Sequence, residues 1–441
     1  MLKNAKYIVE KVNSMRGTFA VVKNPGYVFP AEEYYLLASP LKKVKDINAV
    51  LMDMDGTTTT TEVLCIHSLE QMVRRMSGKI KREDWIGLNP SADFPHIIGN
   101  STTRHIEYLI NKYESLLDDK QIEIAFLEAA LWTLKYGNDP NRKLEVIQNL
   151  RKTGLERAVE DLTSAKEPDE VIRKFAGKLN TSGFMNRVNI GIDIYYEIYH
   201  RILSRLNNGE GVKVKKEIFG DSGEYGQVIS PMPGIHVLIP LLKGWLGEEA
   251  VVFAEYLKKE LELKIGRKSK KKDISEIENS LRILGEKFEN KPSKLGLVTS
   301  SIRYEADIVI HEVFGIIRDF IEQSLLSDTR KKAIVQKLQD PNNVYDAFIT
   351  ASNSSEIRLK PHRDLYSIAL HQANILPEDF GKVIGFEDSQ SGTIAIRAAG
   401  IGCCVAVPFA ETSEHDLEAA VHILPGGIPQ ALIEYNLFLK D

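Results

Sequence analysis

The sequence has few cysteines, and their arrangement disfavours a disulfide-stabilised secreted protein. Only 3 of the 441 residues are cysteine, so all three cannot pair within one chain, and Cys403 and Cys404 are neighbours. Adjacent side chains on a strand point to opposite faces, which disfavours a disulfide between them. We therefore expect a protein of a reducing compartment, the cytoplasm.

Long apolar runs and a strong charge excess are also missing. The most apolar short stretch, Ile235 to Leu242, is far shorter than the roughly 18 apolar residues that argue for a bilayer span. The first four residues, Met1 to Asn4, lack the apolar region of a secretory leader. With 57 Lys and Arg against 61 Asp and Glu, the net charge of −4 provides no broad positive field. The sequence therefore predicts neither a nucleic-acid nor a membrane partner.

The common zinc motifs are absent as well. Neither CxxC nor HExxH occurs, and the ten histidines are dispersed. What the chain does have is an ordinary globular composition, 43% hydrophobic and 27% charged. At roughly 150 residues per domain, its length favours two or more modules over a single core.

Five short apolar runs, each followed by a polar cluster and a helix-like stretch, indicate a parallel sheet. Strands of such sheets are buried on both faces, and their C-terminal ends share one edge, where ligands bind. The runs are Ala49 to Met52, Leu295 to Val298, Ala347 to Ile349, Val383 to Phe386 and Cys403 to Val407.

Between the first and second runs lies a long insert with helical periodicity. Apolar residues recur at helical spacing over Val63 to Met76, Ile124 to Leu134 and Val188 to Leu206. We therefore predict a helical domain at 63–233. The sheet domain would comprise 47–62 and 234–441, with added helices near 248–290 and 303–340. Residues 1–46 form an N-terminal extension to which the sequence assigns no role.

The first strand ends in a group of residues suited to chemistry. Asp53 and Asp55 are two positions apart and point to the same side, while Gly56 permits a sharp turn after them. An ordinary turn would also use Asp and Gly, so this reading stays open. A calcium loop of the EF-hand type fails, since Thr58 and Leu64 occupy the positions that need Gly and an acid.

Other strands end in polar residues that would converge on the same edge. Thr299 and Ser300 follow the second run, and Glu387 and Asp388 follow the fourth. So many carboxylates together would be costly without a cation, and oxygen ligands of this kind suit magnesium. Lys360, which precedes a predicted helix, is the natural cationic partner.

These residues resemble the four ordered motifs of the haloacid dehalogenase (HAD) superfamily, most closely its β-phosphoglucomutase-like phosphatases. The motifs are Asp53-Met54-Asp55-Gly56-Thr57, the strand-terminal Thr299, Lys360-Pro361 and Glu387-Asp388-Ser389-Gln390-Ser391-Gly392. The resemblance implies an α/β fold, a Rossmann-like parallel sheet (the HAD core) with a large inserted helical cap domain.

The resemblance also implies a role for each motif residue. Asp53 would be the nucleophile that forms an aspartyl phosphate, and Asp55 the general acid and base. Mg²⁺ would be held by Asp53, the backbone carbonyl of Asp55 and Asp388, with Glu387 supporting its water shell. Residues that would neutralise the phosphoryl oxygens are Thr299, Ser300 and Lys360.

Two places depart from the family pattern. Arg363 replaces a second proline that often follows the lysine motif, which affects loop shape only. In the cap, Gly99-Asn100-Ser101 with Arg104 and His105 could be a substrate-binding segment, with Arg104 as the candidate contact. A helix capped by Asn100 or Ser101 explains the same residues equally well.

We therefore expect a magnesium-dependent phosphohydrolase that acts on a small phosphorylated metabolite through an aspartyl phosphate. A large cap would exclude bulk water. One alternative is a β-phosphoglucomutase-like phosphomutase, whose cap needs groups for a second phosphate, such as Arg104 and Lys112. Another is a non-catalytic scaffold on a HAD core. The sequence names neither the phosphomonoester nor the oligomeric state.

Overall fold

A six-stranded parallel sheet forms the centre of the first of two units. The computed structural model describes residues 3–15, 17–24, 28–97, 102–156, 158–164, 168–220, 226–268, 273–409, 412 and 415–439. The sheet unit consists of Met1–Thr60, Ser230–Ala306 and Ile310–Asp441, and the helical unit of Thr61–Ile229 with Asp307–Val309.

The strands fall into one large sheet and two small antiparallel pairs. They are β1 (Phe19–Lys23), β2 (Glu32–Leu36), β3 (Ala49–Asp53), β4 (Thr59–Thr60), β5 (Ser230–Pro231), β6 (Lys294–Val298), β7 (Ala347–Ile349), β8 (Val383–Glu387), β9 (Cys403–Ala406) and β10 (His422–Ile423). The large sheet has the order β10-β9-β8-β3-β6-β7, and all its pairings are parallel.

The helices complete both units. They are α1 (Ala5–Ser14), α2 (Glu62–Ser77), α3 (Pro90–Ile97), α4 (Thr102–Lys112), α5 (Asp119–Tyr136), α6 (Pro140–Lys152), α7 (Ala158–Ser164), α8 (Pro168–Phe175), α9 (Phe184–Asn207), α10 (Gly211–Phe219), α11 (Ile235–Leu242), α12 (Ala254–Ile265), α13 (Ile274–Asn290), α14 (Arg303–Gln323), α15 (Asp328–Lys337), α16 (Asp364–Gln372), α17 (Gln390–Ala398) and α18 (Gly427–Pro429). Within the described residues, none of them has the length and apolar character needed to cross a membrane.

The predicted fold class is confirmed. All five apolar runs form strands of the parallel sheet, and β3 lies in its interior, with Met52 opposite Leu297 of β6 and Phe386 of β8. Every residue of β3 and β8 is buried, which explains the apolar runs that precede Asp53 and Glu387 at their ends. The strand β10 was not predicted, because two residues are too few to show a periodicity.

The N-terminal segment contributes a β-hairpin to the sheet unit. β1 and β2 pair antiparallel, with Phe19 opposite Leu36. The alternation of the hairpin places Ala20, Val22 and Tyr35 on its buried face. The segment that the sequence left without a role therefore folds into a regular element.

The helical unit is built around α9. The apolar periodicity that predicted helices in this region is confirmed by α2, α5 and α9. Gly191 of α9 lies so close to α4 that a Cβ there would be 2.8 Å from Ile106 Cγ2. Aspartates precede α5 and α6, where the side chains of Asp118 and Asp139 accept hydrogen bonds from backbone amides of the first helical turn.

The chain leaves the sheet unit and returns to it at adjacent positions. β4 and β5 pair antiparallel, with Thr59 opposite Pro231 and Thr60 opposite Ser230. Met232 N–H also donates to the carbonyl of Thr58 at 3.0 Å. The two ends of the helical insert are therefore fastened to each other directly after the first motif.

One buried hydroxyl of the sheet unit provides a test of its packing. The ring of Tyr345 stacks on Phe314 at 5.8 Å, and its hydroxyl has no hydrogen-bond partner within the described part of the chain. Removing a buried hydroxyl that makes no hydrogen bond costs nothing. We expect Tyr345→Phe to leave the free energy of unfolding unchanged or raise it by up to about 1 kcal/mol, as measured by urea denaturation.

Tyr435→Phe is the matched control. Its hydroxyl lies 2.7 Å from His422 Nδ1, so its removal should lower the free energy of unfolding by about 1 kcal/mol. A loss in Tyr345→Phe as large as that in the control would contradict the packing described here.

Candidate active site

The first functional side chain, Asp53, ends the buried strand β3. The chain turns sharply after it, because the hydroxyl of Thr58 donates to the Asp53 carbonyl at 2.6 Å and Gly56 adopts a φ of +83°. A Cβ on Gly56 would lie 2.7 Å from Asp388 Oδ2. Glycine is therefore required here both for the backbone conformation and for the close approach of a carboxylate.

Lys360 lies in the loop between β7 and α16 and its side chain is buried. Its ammonium group contacts the Asp53 carboxylate, donates to Glu387 Oε1 at 2.8 Å and to the carbonyl of Val298 at 3.2 Å. Its Nζ also lies 5.3 Å from the centre of the Tyr366 ring. One cation thus connects the last residues of three different strands.

Glu387 organises the turn that follows β8. Its Oε2 accepts hydrogen bonds from the backbone amides of Asp388 and Ser389 and from the Ser389 hydroxyl, each at 2.9 Å. With Oε1 bonded to Lys360, both oxygens of Glu387 are engaged. Gly392 makes room for this carboxylate, because a Cβ there would lie 1.7 Å from Oε1.

Asp55 points toward the loop after β6. Its Oδ2 accepts a hydrogen bond from the Ser301 hydroxyl at 3.1 Å. Thr299 is buried, and its hydroxyl accepts the backbone N–H of Ser301 at 2.9 Å. Ser300, predicted to contact phosphate, is exposed between them.

The residues predicted to bind substrate in the cap belong to the helical unit and not to the group around Asp53. Arg104 is exposed on α4, in the helical unit, and the segment Gly99-Asn100-Ser101 lies outside the described residues. Lys112, the proposed partner of Arg104 for a second phosphate, is already engaged. Its ammonium group contacts Asp93 Oδ1 at 2.5 Å and the hydroxyl of Tyr108 at 2.9 Å.

Burial sets the protonation behaviour of Asp53. Loss of solvent raises the pKa of its carboxyl well above the usual value, and the charges of Glu387 and Asp55 act in the same direction. The positive charge of Lys360 opposes this rise. Burial also disfavours the charged form of Lys360, but its two carboxylate partners outweigh burial and raise its pKa.

Glu387 and Asp388 are neighbours whose pKa values are shifted in opposite directions. Burial opposes ionisation of Glu387, yet Lys360 and the donors from Ser389 lower its pKa. Burial raises the pKa of Asp388 well above the usual value, and the charges of Glu387 and Asp53 add to the rise. Asp388 is therefore the carboxylate for which the protein supplies the least positive charge.

This imbalance fits a divalent cation. One oxygen from each of Asp53, Glu387 and Asp388 can be chosen so that all three lie within 4.8 Å of one another. Three buried carboxylates face a single ammonium group, and carboxylate oxygens are the ligands that Mg²⁺ prefers. Since both oxygens of Glu387 already accept hydrogen bonds, Asp53 and Asp388 are the better ligands.

The sequence did not identify two hydroxyls at the site. Ser301 holds Asp55, and the Thr57 hydroxyl lies 3.4 Å from Asp388 Oδ1. Thr57 is the last residue of the first motif and Ser301 follows Ser300, but neither was assigned a role, because their roles depend on how each loop turns. The backbone conformation between Thr299 and Ser301 is stabilised by the hydrogen bond from Ser301 N–H to the Thr299 hydroxyl. The spacing of the motifs does not predict this bond.

Comparisons with known proteins found no matching family model and no matching curated protein. Among solved structures, CbbY from Rhodobacter sphaeroides in complex with phosphate is 13% identical, with a TM-score of 0.37, and the match covers 88% of this chain and 99% of that one. A putative β-phosphoglucomutase from Thermotoga maritima is 16% identical, with a TM-score of 0.34, and the match covers 89% and 100% of the two chains.

A HAD family hydrolase from Deinococcus radiodurans R1, with bound phosphate and sodium, is 13% identical, with a TM-score of 0.36, over 90% of this chain and 99% of that one. These names agree with the superfamily that the four motifs resemble. All three TM-scores are below 0.5.

Gly392 gives a direct test of the Glu387 environment. In Gly392→Ala the new methyl group would occupy the position of Oε1, so Glu387 must move away from Lys360 and from the turn amides. We expect the free energy of unfolding, measured by urea denaturation, to fall by about 1–3 kcal/mol, the usual cost of overpacking.

The control is another helical glycine, Gly315 of α14, where a Cβ would meet only Arg318 Nη2 at 3.7 Å. Gly315→Ala should raise the free energy of unfolding by about 0.5–1 kcal/mol through helix propensity. Equal effects of the two substitutions would mean that Glu387 is not held as described.

Proposed function

We propose that this protein is a magnesium-dependent phosphohydrolase that cleaves a small phosphomonoester through a phosphorylated Asp53. The observation that carries the proposal is the contact of Asp53 with Lys360 beside a second buried carboxylate, Asp388, whose pKa is raised by burial and by the charges of Glu387 and Asp53. A purely structural ion pair would need only one acid for one lysine, whereas phosphoryl transfer needs a nucleophile and positive charge together.

The first half of the reaction uses Asp53 and Asp55. A carboxylate oxygen of Asp53 attacks phosphorus, and the bond from phosphorus to the ester oxygen breaks. Asp55 protonates the departing oxygen, so the alcohol leaves neutral. The ammonium group of Lys360, which contacts Asp53, stabilises the negative charge of the phosphoryl oxygens.

The second half regenerates the carboxylate. Asp55, now ionised, accepts a proton from a water molecule whose oxygen attacks the phosphorus of phospho-Asp53. The Asp53–phosphorus bond breaks, and inorganic phosphate and free Asp53 result. The hydrogen bond from Ser301 keeps Asp55 oriented in both halves.

Mg²⁺, held by Asp53, Asp388 and the backbone carbonyl of Asp55, would supply the positive charge that stabilises the phosphoryl oxygens as bond order changes. Glu387 would act differently from a ligand. With both oxygens accepting hydrogen bonds, it keeps Lys360 and the turn of Asp388 in place.

Hydrolysis is favoured over the phosphomutase alternative by the environment of Lys112. A mutase cap must bind a second phosphate, and the Lys112 ammonium group is occupied by Asp93 and Tyr108. Hydrolysis needs no such group, since water is the acceptor.

The nucleophile is tested by Asp53→Asn, with phosphate release from a panel of phosphorylated metabolites as the measurement. The amide cannot form an acyl phosphate, so turnover should fall to background, whereas Asp319→Asn on an exposed face of α14 should retain full turnover. Excess EDTA should silence the wild type and added Mg²⁺ restore it. Turnover by Asp53→Asn, or full activity in EDTA, would refute the proposal.

The acid is tested by Asp55→Asn with two classes of ester. Alkyl phosphates need protonation of the leaving oxygen, so their turnover should fall by about 10²–10⁴-fold. The aryloxide released from an aryl phosphate is a stable anion that needs no proton. The first step, measured as a single-turnover burst, should therefore be much less affected with these esters. Equal losses of the burst with both classes would exclude Asp55 as the acid.

A further inference from the structure

The loop that carries Lys360 has little regular structure of its own. It runs from the end of β7 at Ile349 to the start of α16 at Asp364, and includes only short 3₁₀ turns at Ala351–Asn353 and Glu356–Arg358. Near the lysine its backbone bonds are local, from Arg358 N–H to Ser355 and from His362 N–H to Leu359. A loop of this kind needs contacts from another element to hold one conformation.

The N-terminal hairpin supplies such contacts on the N-terminal side of the lysine. Arg358 Nη1 donates to both carboxylate oxygens of Glu33, at 2.8 and 2.9 Å. The other edge of the same guanidinium binds Asp364 at the start of α16, at 2.8 and 3.2 Å. Arg358 therefore ties β2 of the hairpin to both ends of the segment that contains Lys360.

A second contact lies on the C-terminal side. The hydroxyl of Tyr35, also on β2, lies 2.8 Å from Nδ1 of the buried His362 and donates to Glu33 at 2.7 Å. Arg358 Nη2 reaches the same hydroxyl at 3.2 Å. The positions 358 and 362, two residues before and after the lysine, are thus both bonded to one pair of hairpin side chains.

Proton counting fixes the direction of these bonds. The hydrogen bonds from Tyr35 and Arg358 lower the pKa of Glu33 to about 2, so Glu33 is ionised and only accepts. The single proton of the Tyr35 hydroxyl is then committed to Glu33, and the proton in the contact with His362 must come from Nδ1. Burial and the nearby Arg358 lower the pKa of His362, which favours the neutral ring. The contact with the Tyr35 hydroxyl then selects the tautomer that carries its proton on Nδ1.

The hairpin is itself fixed to the helix that follows the other site turn. Ala20, Val22, Tyr35 and Leu37 pack on Ala398 of α17, with Ile394 at the edge of the cluster. Ala38 N–H donates to the carbonyl of Arg397 at 2.9 Å, and Arg397 Nε returns a bond to the Ala38 carbonyl at 2.9 Å. These contacts lie in the C-terminal half of α17, and the turn that carries Glu387 and Asp388 precedes the N-terminus of the same helix.

From this geometry we infer that the N-terminal hairpin is a positioning element of the active site, in which Glu33 and Tyr35 hold the Lys360 loop in place relative to α17, the helix that follows the turn of Asp388. The two site loops follow β7 and β8, which are separated in the sheet by β6 and β3. Strand pairing therefore does not connect these loops directly, whereas the hairpin bonds to the Lys360 loop and packs on α17, the helix that follows the other loop. The inference rests on the proposed function for its catalytic consequence.

The chain offers a matched control for the test. The preceding pair on β2, Glu32 and Tyr34, forms the same kind of bond, from the Tyr34 hydroxyl to Glu32 at 3.0 Å. Tyr34 lies on the opposite face of the strand and is 66% exposed. The double variant Glu33→Gln/Tyr35→Phe is therefore compared with Glu32→Gln/Tyr34→Phe.

The first measurement is hydrogen–deuterium exchange of the peptide covering 355–363, which needs no substrate. We expect faster exchange of this peptide in Glu33→Gln/Tyr35→Phe and wild-type exchange in the control. The second measurement is turnover of the best ester found in the panel. The kcat of the first variant should fall about tenfold to a hundredfold, the cost of displacing a catalytic group by an ångström or less, while KM changes little and the control keeps wild-type kcat.

Single substitutions at His362 keep the test valid if the double variant is unstable. His362→Asn can place an N–H where Nδ1 lies and should retain kcat, whereas His362→Leu should lose it. Equal exchange in the two double variants, or faster exchange with unchanged kcat, would overturn the inference. If the wild type releases phosphate from no ester, the proposed function fails, and the exchange measurement alone decides whether the hairpin holds the loop.

Discussion

The sharing of one buried ammonium group between two carboxylates is the interaction on which the site depends. Lys360 is withdrawn from solvent, where an unpaired charge would be very costly, and Asp53 and Glu387 compensate for it from two adjacent strands. Each partner is fixed by its own strand end or turn. Because both acids are held where they meet the ammonium group, the edge of the sheet keeps a form that concentrates charge at one place.

Much of this arrangement is predictable from sequence because parallel sheets obey simple rules. Uninterrupted apolar runs locate the strands, and the C-terminal ends of parallel strands share one edge of the sheet. The sequence alone therefore predicts that Asp53, Thr299 and Asp388 lie at that edge. What could not be predicted depends on turn geometry. Ser301 reaches Asp55 only because its own N–H is bonded to the Thr299 side chain, and Glu387 turns toward the backbone only because Gly392 leaves space.

The N-terminal segment shows a different limit of sequence reasoning. Glu32, Glu33, Tyr34 and Tyr35 form a short mixed run whose pattern identifies neither a buried nor an exposed strand. Only the pairing register decides that Tyr35 faces Ala398 and that Tyr34 faces solvent. Contacts between residues more than 300 positions apart, such as Glu33 and Arg358, leave no trace in local periodicity.

The paired ends of the helical insert have a consequence for how this chain could change in length. Thr59 and Thr60 pair with Pro231 and Ser230, so the chain between the two strands forms a single closed loop that begins and ends in the sheet unit. The entropy of closing a loop grows only with the logarithm of its length, so doubling it costs about 0.6 kcal/mol. A large insertion at this point is therefore nearly neutral for the sheet, and residues distant in sequence can still meet at the edge of β3.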